Sequence, residues 1–309
     1  MNNPGRQRPG ARMGVGRVPQ SLLVASGGRA AVGKAEDESC GGVTAEDDNA
    51  ARRRSERRAA ERGIAGHALV WERVTSGQSG AAVFRGRGVY RKVTPDAEIE
   101  AATMSWLRAH GLPVAEVVDI GPDWLVTREI GGRTAADTWP EDLRPRVVDA
   151  LAEVTRALHA LPVDECPFDR SLAIVATEAR QAAASGRIDL GDLDHERQGW
   201  TAAQLVAALD EQLPVMSERE VLAVTHGDWC LPNVVLNPET VIVIGLLDTG
   251  RAGRADRYTD LALMNRSLRS DALNAHYGTE LADRYLNRCG HHAADDDKLG
   301  FYCLVDEFF

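Results

Sequence analysis

Aromatic side chains are absent from the first fifth of this chain. None of the sixteen aromatic residues precedes Trp71, and residues 1–66 hold eleven of the 29 glycines. Such a segment cannot bury enough apolar surface to offset the entropy of ordering it, so we expect residues 1–66 to be disordered, or to result from a start codon placed too far upstream. The basic run from Arg52 to Arg58 leaves a third interpretation open, an arm that binds nucleic acid or a protein partner.

The chain also lacks paired cysteines and long apolar runs. Its five cysteines are odd in number, widely spaced and without a C-x-x-C pair, which argues against a disulfide framework and against a zinc site. No stretch approaches the roughly 18 consecutive apolar residues that a membrane span needs. We therefore expect a cytoplasmic protein with no membrane partner.

Basic charge is scarce after the first segment. Residues 1–66 hold 12 Lys or Arg and 8 Asp or Glu, a net charge of +4, so residues 67–309 carry −14. A protein that binds duplex nucleic acid must present basic side chains to phosphates, so nucleic acid is not the expected partner of this part. An acidic body favours a cationic substrate instead.

Residues 67–130 have the pattern of a small sheet with one helix. The alternation of apolar residues predicts the order β-β-β-α-β-β, with a glycine-containing turn at Ser76–Gly80. The predicted strands are Leu69–Val74, Ala81–Phe84, Val89–Val93, Ala115–Ile120 and Trp124–Glu129, and the predicted helix is Glu98–His110.

The remainder is mainly helical. Apolar residues at helical spacing predict helices at Asp142–Leu161, Thr201–Leu213, Leu261–Leu268 and near Leu281–Arg288. A β-rich island interrupts them, with strands at Val221–Thr225, Val234–Leu236 and Val241–Leu247. The predicted fold class is therefore α+β, with a small N-terminal β-sheet lobe and a larger, mainly helical C-terminal lobe.

The island carries the residues that indicate chemistry. The segment His226-Gly227-Asp228-Trp229-Cys230-Leu231-Pro232-Asn233 precedes a hairpin, and Asp248 follows it. A turn centred on residues 238 and 239 places Asp248 opposite roughly residue 229, so two carboxylates and an amide converge in a set that suits Mg²⁺. Each residue alone fits a turn or a helix cap equally well. Together, H-G-D-x-x-x-x-N and the later Asp parallel the loop and metal-binding Asp of protein kinases, which favours phosphoryl transfer.

Lysine is nearly absent, which gives one lysine special weight. The chain has only Lys34, Lys92 and Lys298 among 36 basic residues. Lys92 lies on the predicted third strand, where a compact ammonium group can contact nucleotide phosphates. Glu100, early in the next helix, is its natural carboxylate partner.

Several segments resemble the aminoglycoside 3'-phosphotransferases, with the actinomycete neomycin and kanamycin enzymes looking closest. The resemblance runs from about Ala68 to the last residue and leaves only the N-terminal segment unmatched. The segments that carry it are 106–114, 157–162, 165–170, His226–Asn233, Gly245–Arg251, Ala255–Asp260 and Leu304–Phe309.

This resemblance implies a protein-kinase-like bilobal fold and transfer of the γ-phosphate of ATP, with Mg²⁺, to a drug hydroxyl, which confers antibiotic resistance. Residues 67–130 would form the nucleotide-binding lobe and residues 131–309 the catalytic and aminoglycoside-binding lobe. By position in the family motifs, Asp228 is the catalytic residue, Asn233 and Asp248 are the metal ligands, and Lys92 and Glu100 serve the ATP phosphates. The further nucleotide contacts it implies are Gly77, Ser79, Gly80, Arg128 and Ile130, and the drug contacts are Arg251, Asp271, Glu196, Asp306, Glu307 and Phe309.

Alternatives remain within and beyond this family. Ser270 stands where some members carry an acid beside Asp271, so we expect recognition of one drug ring to be weaker or different. The nearest alternative to the 3'-hydroxyl assignment is a streptomycin 3''-phosphotransferase or another small-molecule kinase of the same fold. A binding protein that no longer transfers phosphate is the alternative from another class, and the complete set of catalytic residues argues against it. We expect a monomer.

Overall fold

The computed structural model describes residues 70–74 and 82–309. The predictions for residues 1–66 and for the turn Ser76–Gly80 lie outside these described residues. Within them, no helix combines the length and apolar character needed to cross a membrane.

The N-terminal part is a five-stranded antiparallel sheet with one helix. Its strand order is β1-β2-β3-β5-β4, so β3 lies in the middle, where Lys92 pairs with Val83 on one side and Leu125 on the other. The elements are β1 (Glu72–Val74), β2 (Ala82–Gly86), β3 (Val89–Val93), α1 (Ala97–Ala109), β4 (Val117–Gly121) and β5 (Trp124–Arg128). The predicted order of strands and helix is confirmed, with ends that differ by one or two residues except at β1.

Helix α1 packs against this sheet through a short apolar stripe. Ala97, Ala101, Met104 and Leu107 are buried at helical spacing, and the helix contacts β4 and β5. The chain leaves the helix through Gly111, whose φ of +85° is in the left-handed region that glycine tolerates. Pro113 and Val114 then pair with Leu246 and connect the sheet to the helical part.

The C-terminal part is mainly helical and contains two small sheets. A three-stranded sheet has the order β6-β8-β9, and β7 pairs with β10. The strands are β6 (Arg133–Thr134), β7 (Leu222–Thr225), β8 (Val234–Leu236), β9 (Val243–Leu246) and β10 (Gly253–Asp256). The helices are α2 (Arg144–His159), α3 (Leu172–Ala184), α4 (Ala202–Glu218), α5 (Tyr258–Arg269), α6 (Asp271–Asn274), α7 (Gly278–Arg288) and α8 (Asp296–Asp306).

The core of this part follows the predicted apolar faces. In α2, Val147, Val148, Leu151 and Leu158 are fully buried, and the helix packs on α7. Helix α5 packs on both α7 and α8. Buried residues of α1 and of the helical part belong to one continuous cluster, which ties the sheet to the helices that carry the β8–β9 hairpin.

Five elements were not predicted, namely α3, α6, α8, β6 and β10. One hairpin register was predicted wrongly. Three of the four buried residues of α3 are alanines, and the sequence of β10 is Gly-Arg-Ala-Asp. Neither element therefore has a strong apolar pattern. In the hairpin, Val234 pairs with Leu246, which places Asp248 near residue 232 rather than 229. The turn is longer than assumed, because Asn237 accepts hydrogen bonds from the N–H groups of residues 239 and 240, and Val241 takes a φ of +56°.

Candidate active site

One cluster joins the sheet, helix α1 and the end of the hairpin. The ammonium group of Lys92 donates to a Glu100 carboxylate oxygen at 3.0 Å and to Asp248 Oδ1 at 2.7 Å. Burial acts to lower the pKa of Lys92, but the Asp248 and Glu100 carboxylates hold this pKa above its ordinary value. Burial raises the pKa of Glu100 despite the adjacent ammonium. The predicted pairing of Lys92 with Glu100 is present, and the lysine also reaches Asp248.

A buried carboxylate fixes the loop that carries Asp228. Asp260, in the first turn of α5, accepts hydrogen bonds from the backbone N–H groups of His226 at 3.0 Å and of Gly227 at 3.0 Å, and it lies 2.9 Å from His159 Nε2. Gly227 has a φ of +82°, and a Cβ there would lie 2.3 Å from the Arg251 carbonyl oxygen. Only glycine fits this bend.

His226 links the two ends of the site. Its Nδ1 accepts the backbone N–H of Asp228 at 3.3 Å, so Nε2 carries the proton that reaches the Leu247 carbonyl oxygen at 2.9 Å. Leu247 immediately precedes Asp248. The imidazole therefore holds the loop of Asp228 at a fixed distance from the end of β9.

The Asp228 carboxylate has three side-chain partners and a partly exposed surface. The Cys230 thiol donates to Oδ1 at 3.7 Å. Asn233 Nδ2 donates to Oδ2 at 2.9 Å, and Arg251 Nη2 lies 3.1 Å from Oδ1. The side chain is 32% exposed, so a ligand can approach it. Such a carboxylate, held in a fixed direction by side-chain donors, can orient a hydroxyl group and accept its proton.

Asn233 and Asp248 offer oxygen donors of the kind that Mg²⁺ binds. The Leu247 N–H donates to the Asn233 carbonyl oxygen at 2.9 Å, which makes Asn233 and Asp248 neighbours across the hairpin. Both bonds from Asn233 Nδ2 go to Asp228, so its amide oxygen is the atom that remains to bind a cation. Among the described residues no group of three His, Cys, Asp or Glu side chains could hold a metal. One carboxylate and one amide nevertheless fit Mg²⁺, which takes few protein ligands when it also binds phosphates.

The C-terminal acids are held by arginines. Asp306, at the end of α8, lies 3.0 Å from Arg251 Nη1 and 2.5 Å from Arg266 Nη2. Arg251 therefore bridges Asp306 and Asp228. Burial acts to raise the pKa of Asp306, but Arg251 and Arg266 hold it below its ordinary value.

Glu307 faces the protein interior and not the cleft. Its side chain is only 4% exposed and lies 3.0 Å from Arg197 Nη1. It also accepts the backbone N–H of Asp194, and burial raises its pKa. This placement therefore does not favour the direct drug contact that was predicted for Glu307. The sequence did not predict a role for Arg197 or Arg266, because the acidic partners of these arginines are far away along the chain.

The remaining predicted drug contacts lie at the surface. The Phe309 ring is half exposed, with the Arg251 guanidinium 5.9 Å from its centroid. Glu196 is exposed in the turn His195–Arg197, and Asp271 is exposed at the start of α6. The structure does not place these two acids in the ion-pair clusters described above, and their roles stay predictions.

The predicted nucleotide contacts are only partly described. The backbone N–H of Arg128 donates to the Glu116 carbonyl oxygen at 2.9 Å, so this N–H group is already used within the sheet. The Ile130 side chain packs against Gly245. A Cβ atom added to Gly245 would lie 2.7 Å from Ile130 Cδ1. Gly77, Ser79 and Gly80 lie outside the described residues.

Comparison with known proteins assigns the chain to a family. Residues 66–301 match the model described as "Phosphotransferase enzyme family". The chain belongs to this phosphotransferase family. An aminoglycoside 3'-phosphotransferase from Streptomyces fradiae is 45% identical over 258 residues, which cover 77% of this chain and 95% of that protein.

Solved structures of the phosphotransferase family confirm the fold. A crystal structure of an aminoglycoside-3'-phosphotransferase of type VIII has a TM-score of 0.74 and 42% identity, over 84% of this chain and 99% of that one. An aminoglycoside phosphotransferase from Streptomyces rimosus, in complex with ADP and streptomycin, has a TM-score of 0.71 and 30% identity, over 84% of this chain and 98% of that one. The predicted α+β kinase-like fold and the family resemblance are thus confirmed.

Proposed function

We propose that the protein transfers the γ-phosphate of ATP to an aminoglycoside, at its 3'-hydroxyl, and so confers resistance in the cytoplasm. The observation that carries this proposal is the placement of Asp228, which is held by Asn233 and Arg251 beside the Lys92–Glu100–Asp248 cluster. The relative from Streptomyces fradiae, which is named an aminoglycoside 3'-phosphotransferase, supports the substrate class and the position.

In this proposal Asp228 orients the drug hydroxyl and accepts its proton. One carboxylate oxygen bonds to Asn233 and the other to Arg251, so the group has a fixed direction without being fully enclosed. Phosphoryl transfer passes through a loose transition state in most descriptions, so the hydroxyl proton moves late, after bonding to the transferred group has begun. The main task of the carboxylate is therefore to place the attacking oxygen.

Lys92 binds the α- and β-phosphates, and Glu100 keeps its ammonium group in place. Because Lys92 also touches Asp248, binding of ATP exchanges that contact for phosphate oxygens and releases Asp248. Asn233 and Asp248 are the residues that would then hold Mg²⁺. When bound, the ion neutralises charge on the phosphate oxygens. The complex of the Streptomyces rimosus relative with ADP supports a nucleotide in this fold.

Drug recognition rests on acidic groups near the chain end. An aminoglycoside carries several ammonium groups, which favour carboxylates at matching spacing. We assign this contact to Asp306, Asp271, Glu196 and the terminal residue Phe309, and we assign Glu307 the indirect role of holding Arg197. In this assignment residues 67–130 bind nucleotide, residues 131–309 bind the drug, and the enzyme acts as a monomer.

Coupled ATP turnover by the purified protein tests the proposal. With Mg²⁺, we expect turnover that depends on kanamycin or neomycin and that is lost in Asp228→Ala. Turnover with streptomycin only would instead support the 3''-position, as in the streptomycin-bound relative at 30% identity. No turnover with any drug, from folded protein that binds ATP, would contradict the proposed substrate class.

A further inference from the structure

A fully buried tryptophan follows Asp228 directly in the chain. The Asp228 side chain is 32% exposed, whereas Trp229 has no exposed surface and belongs to the large core cluster. One side chain of the loop therefore lies at the surface, and its neighbour fixes the loop from the interior. The proposed chemistry gives Trp229 no task of its own.

The indole N–H of this tryptophan has a buried hydroxyl as its partner. Trp229 Nε1 donates to Thr155 Oγ1 at 2.9 Å, and Thr155, on helix α2, is fully buried as well. The Thr155 hydroxyl donates its own hydrogen to the Leu151 carbonyl oxygen at 2.8 Å, so it acts as an acceptor toward other groups. The Tyr285 hydroxyl on α7, whose oxygen lies 3.0 Å away, therefore donates to Thr155 Oγ1 too.

The hydrogen bonds of Thr155 are complete, which gives this contact a defined geometry. A hydroxyl group has one hydrogen and two lone pairs, and Thr155 uses all three. Burial raises the pKa of Tyr285 well above its ordinary value, so this phenol stays protonated and remains a donor. A buried polar group with all partners present favours one orientation, and loss of a partner costs free energy. The indole of Trp229 is therefore held at one position against α2.

Trp229 also supports a second group that holds the loop. Its ring lies against the ring of His226, with 5.1 Å between the centroids and an interplanar angle of 53°. His226 in turn accepts the Asp228 N–H and bonds to the Leu247 carbonyl oxygen at the end of β9. A shift of the Trp229 ring therefore moves Asp228 both through the backbone and through His226.

We propose that Trp229 is a positioning residue, which anchors the loop of Asp228 to helix α2 through its hydrogen bond to Thr155. The proposal rests on the function proposed above. Trp229 is buried too deeply to contact ATP or drug, so its loss affects the rate of the bound complex more than the affinity for either substrate.

Substitutions on either side of the bond test this proposal. Trp229→Phe keeps an aromatic ring and lacks the N–H donor, whereas Thr155→Val keeps the side-chain shape and lacks the acceptor. We expect Trp229→Phe to lower kcat about threefold to tenfold, as for loss of one neutral hydrogen bond, and to change both KM values less than about twofold. Thr155→Val is expected to lower kcat at least as much, because the indole N–H stays buried without a partner. Thr155→Ser keeps the hydroxyl and is expected to retain most of kcat.

The double variant Trp229→Phe/Thr155→Val shows whether the two residues act through one bond. We expect its kcat to equal or exceed that of Thr155→Val alone, because the double variant has no unpaired indole N–H. If the double variant instead lost kcat by the product of the two single effects, the residues would act independently and the proposal would be overturned.

Trp139→Phe is the matched control. Trp139 is also fully buried, and its Nε1 donates to the Thr134 carbonyl oxygen at 2.9 Å, but neither residue belongs to the loop of Asp228. We expect both Trp→Phe variants to lower Tm by similar amounts, and only Trp229→Phe to lower kcat. Equal losses of kcat would show that Trp229 stabilises the fold without positioning the loop. If Trp229→Phe does not fold, Thr155→Val and Thr155→Ser provide the same comparison.

Hydrogen exchange gives a readout that does not need turnover. The N–H groups of Asp228 and Leu231 bond to His226 and Ser267, and we expect both amides to exchange faster in Trp229→Phe than in wild type, with no change in Trp139→Phe. Unchanged exchange and unchanged kcat in folded Trp229→Phe would overturn the proposal. A wild type that is inactive with every drug would instead refute the proposed function, and the exchange comparison would still decide whether Trp229 holds the loop.

Discussion

At the scale of single residues, the carboxylate of Asp228 has the most specific environment. Its neighbours Asn233 and Arg251 are donors, and the loop behind it is bonded to Asp260 and His226. We predict that Asp228→Asn lowers kcat by about 10²–10⁴-fold, the range for loss of a general base, while ATP still binds. Steady-state kinetics and nucleotide titration check this. An Asp228→Asn variant that retains more than about a tenth of the wild-type kcat would contradict the assigned role.

Substitution of Lys92 tests the predicted contact with the ATP phosphates. We predict that Lys92→Met raises KM for ATP about tenfold or more, because the variant removes the ammonium group from the phosphates and leaves Glu100 buried without its partner. Arg85→Met on the adjacent strand β2 is the control. Its ion pair with Glu129 is largely exposed, so we expect little change in KM. Equal effects of the two substitutions would show that Lys92 has no special contact with ATP.

At the scale of elements, Asp306 joins α8 to the active site through Arg251 and Arg266. Its pKa in the folded chain lies below the ordinary value, because the two guanidinium groups outweigh burial. This carboxylate therefore stabilises the folded state above the unfolded pKa of about 3.9, and the contribution is lost as pH falls through the folded pKa.

The corresponding prediction compares wild type with Asp306→Asn. We expect the wild type to have the larger free energy of unfolding at about pH 6, and the difference in this free energy to be smaller at about pH 3, below the unfolded pKa of about 3.9. Urea denaturation at the two pH values measures this. A difference that stays constant with pH would show that the ion pairs of Asp306 do not titrate as described.

The sequence predicted elements whose apolar spacing is strong, and it missed elements held by distant contacts. Helix α2 shows its buried face directly in Val147, Leu151 and Leu158, whereas α3 buries mainly alanines, which carry little signal. Strand β10 has one apolar side chain and exists because it pairs with β7. The hairpin register was wrong because the bonds of Asn237 lengthen the turn.

The same distinction applies to the candidate site. Lys92, Glu100 and Asp248 could be predicted because motif spacing and the rarity of lysine mark them, and the structure brings them together. Arg197 and Arg266 could not be predicted, because arginine is common in this chain and only folding shows which two face Glu307 and Asp306. The contact of His159 with Asp260 could not be predicted either, because the two residues are about a hundred positions apart along the chain.

At the scale of the whole molecule, the family match covers residues 66–301 and the described site residues all lie between Lys92 and Phe309. We predict that deleting residues 1–66 leaves kcat and both KM values within about twofold, since the deletion removes no predicted site residue. Deleting residues 1–80 is the comparison, because it also removes strand β1 and the predicted nucleotide contacts Gly77, Ser79 and Gly80, and it is expected to raise KM for ATP. Loss of activity in the shorter deletion would give residues 1–66 a role that their composition does not predict.

Two substrates that differ by one oxygen test whether the protein transfers phosphate from ATP to the 3'-hydroxyl of an aminoglycoside. Coupled ATP turnover is measured with kanamycin and with 3'-deoxykanamycin, at the same Mg²⁺ and ATP concentrations. We predict turnover with kanamycin and none above background with the 3'-deoxy compound, because the attacking oxygen is absent from the latter. Equal turnover with both compounds would contradict this prediction and would place the phosphate on another hydroxyl.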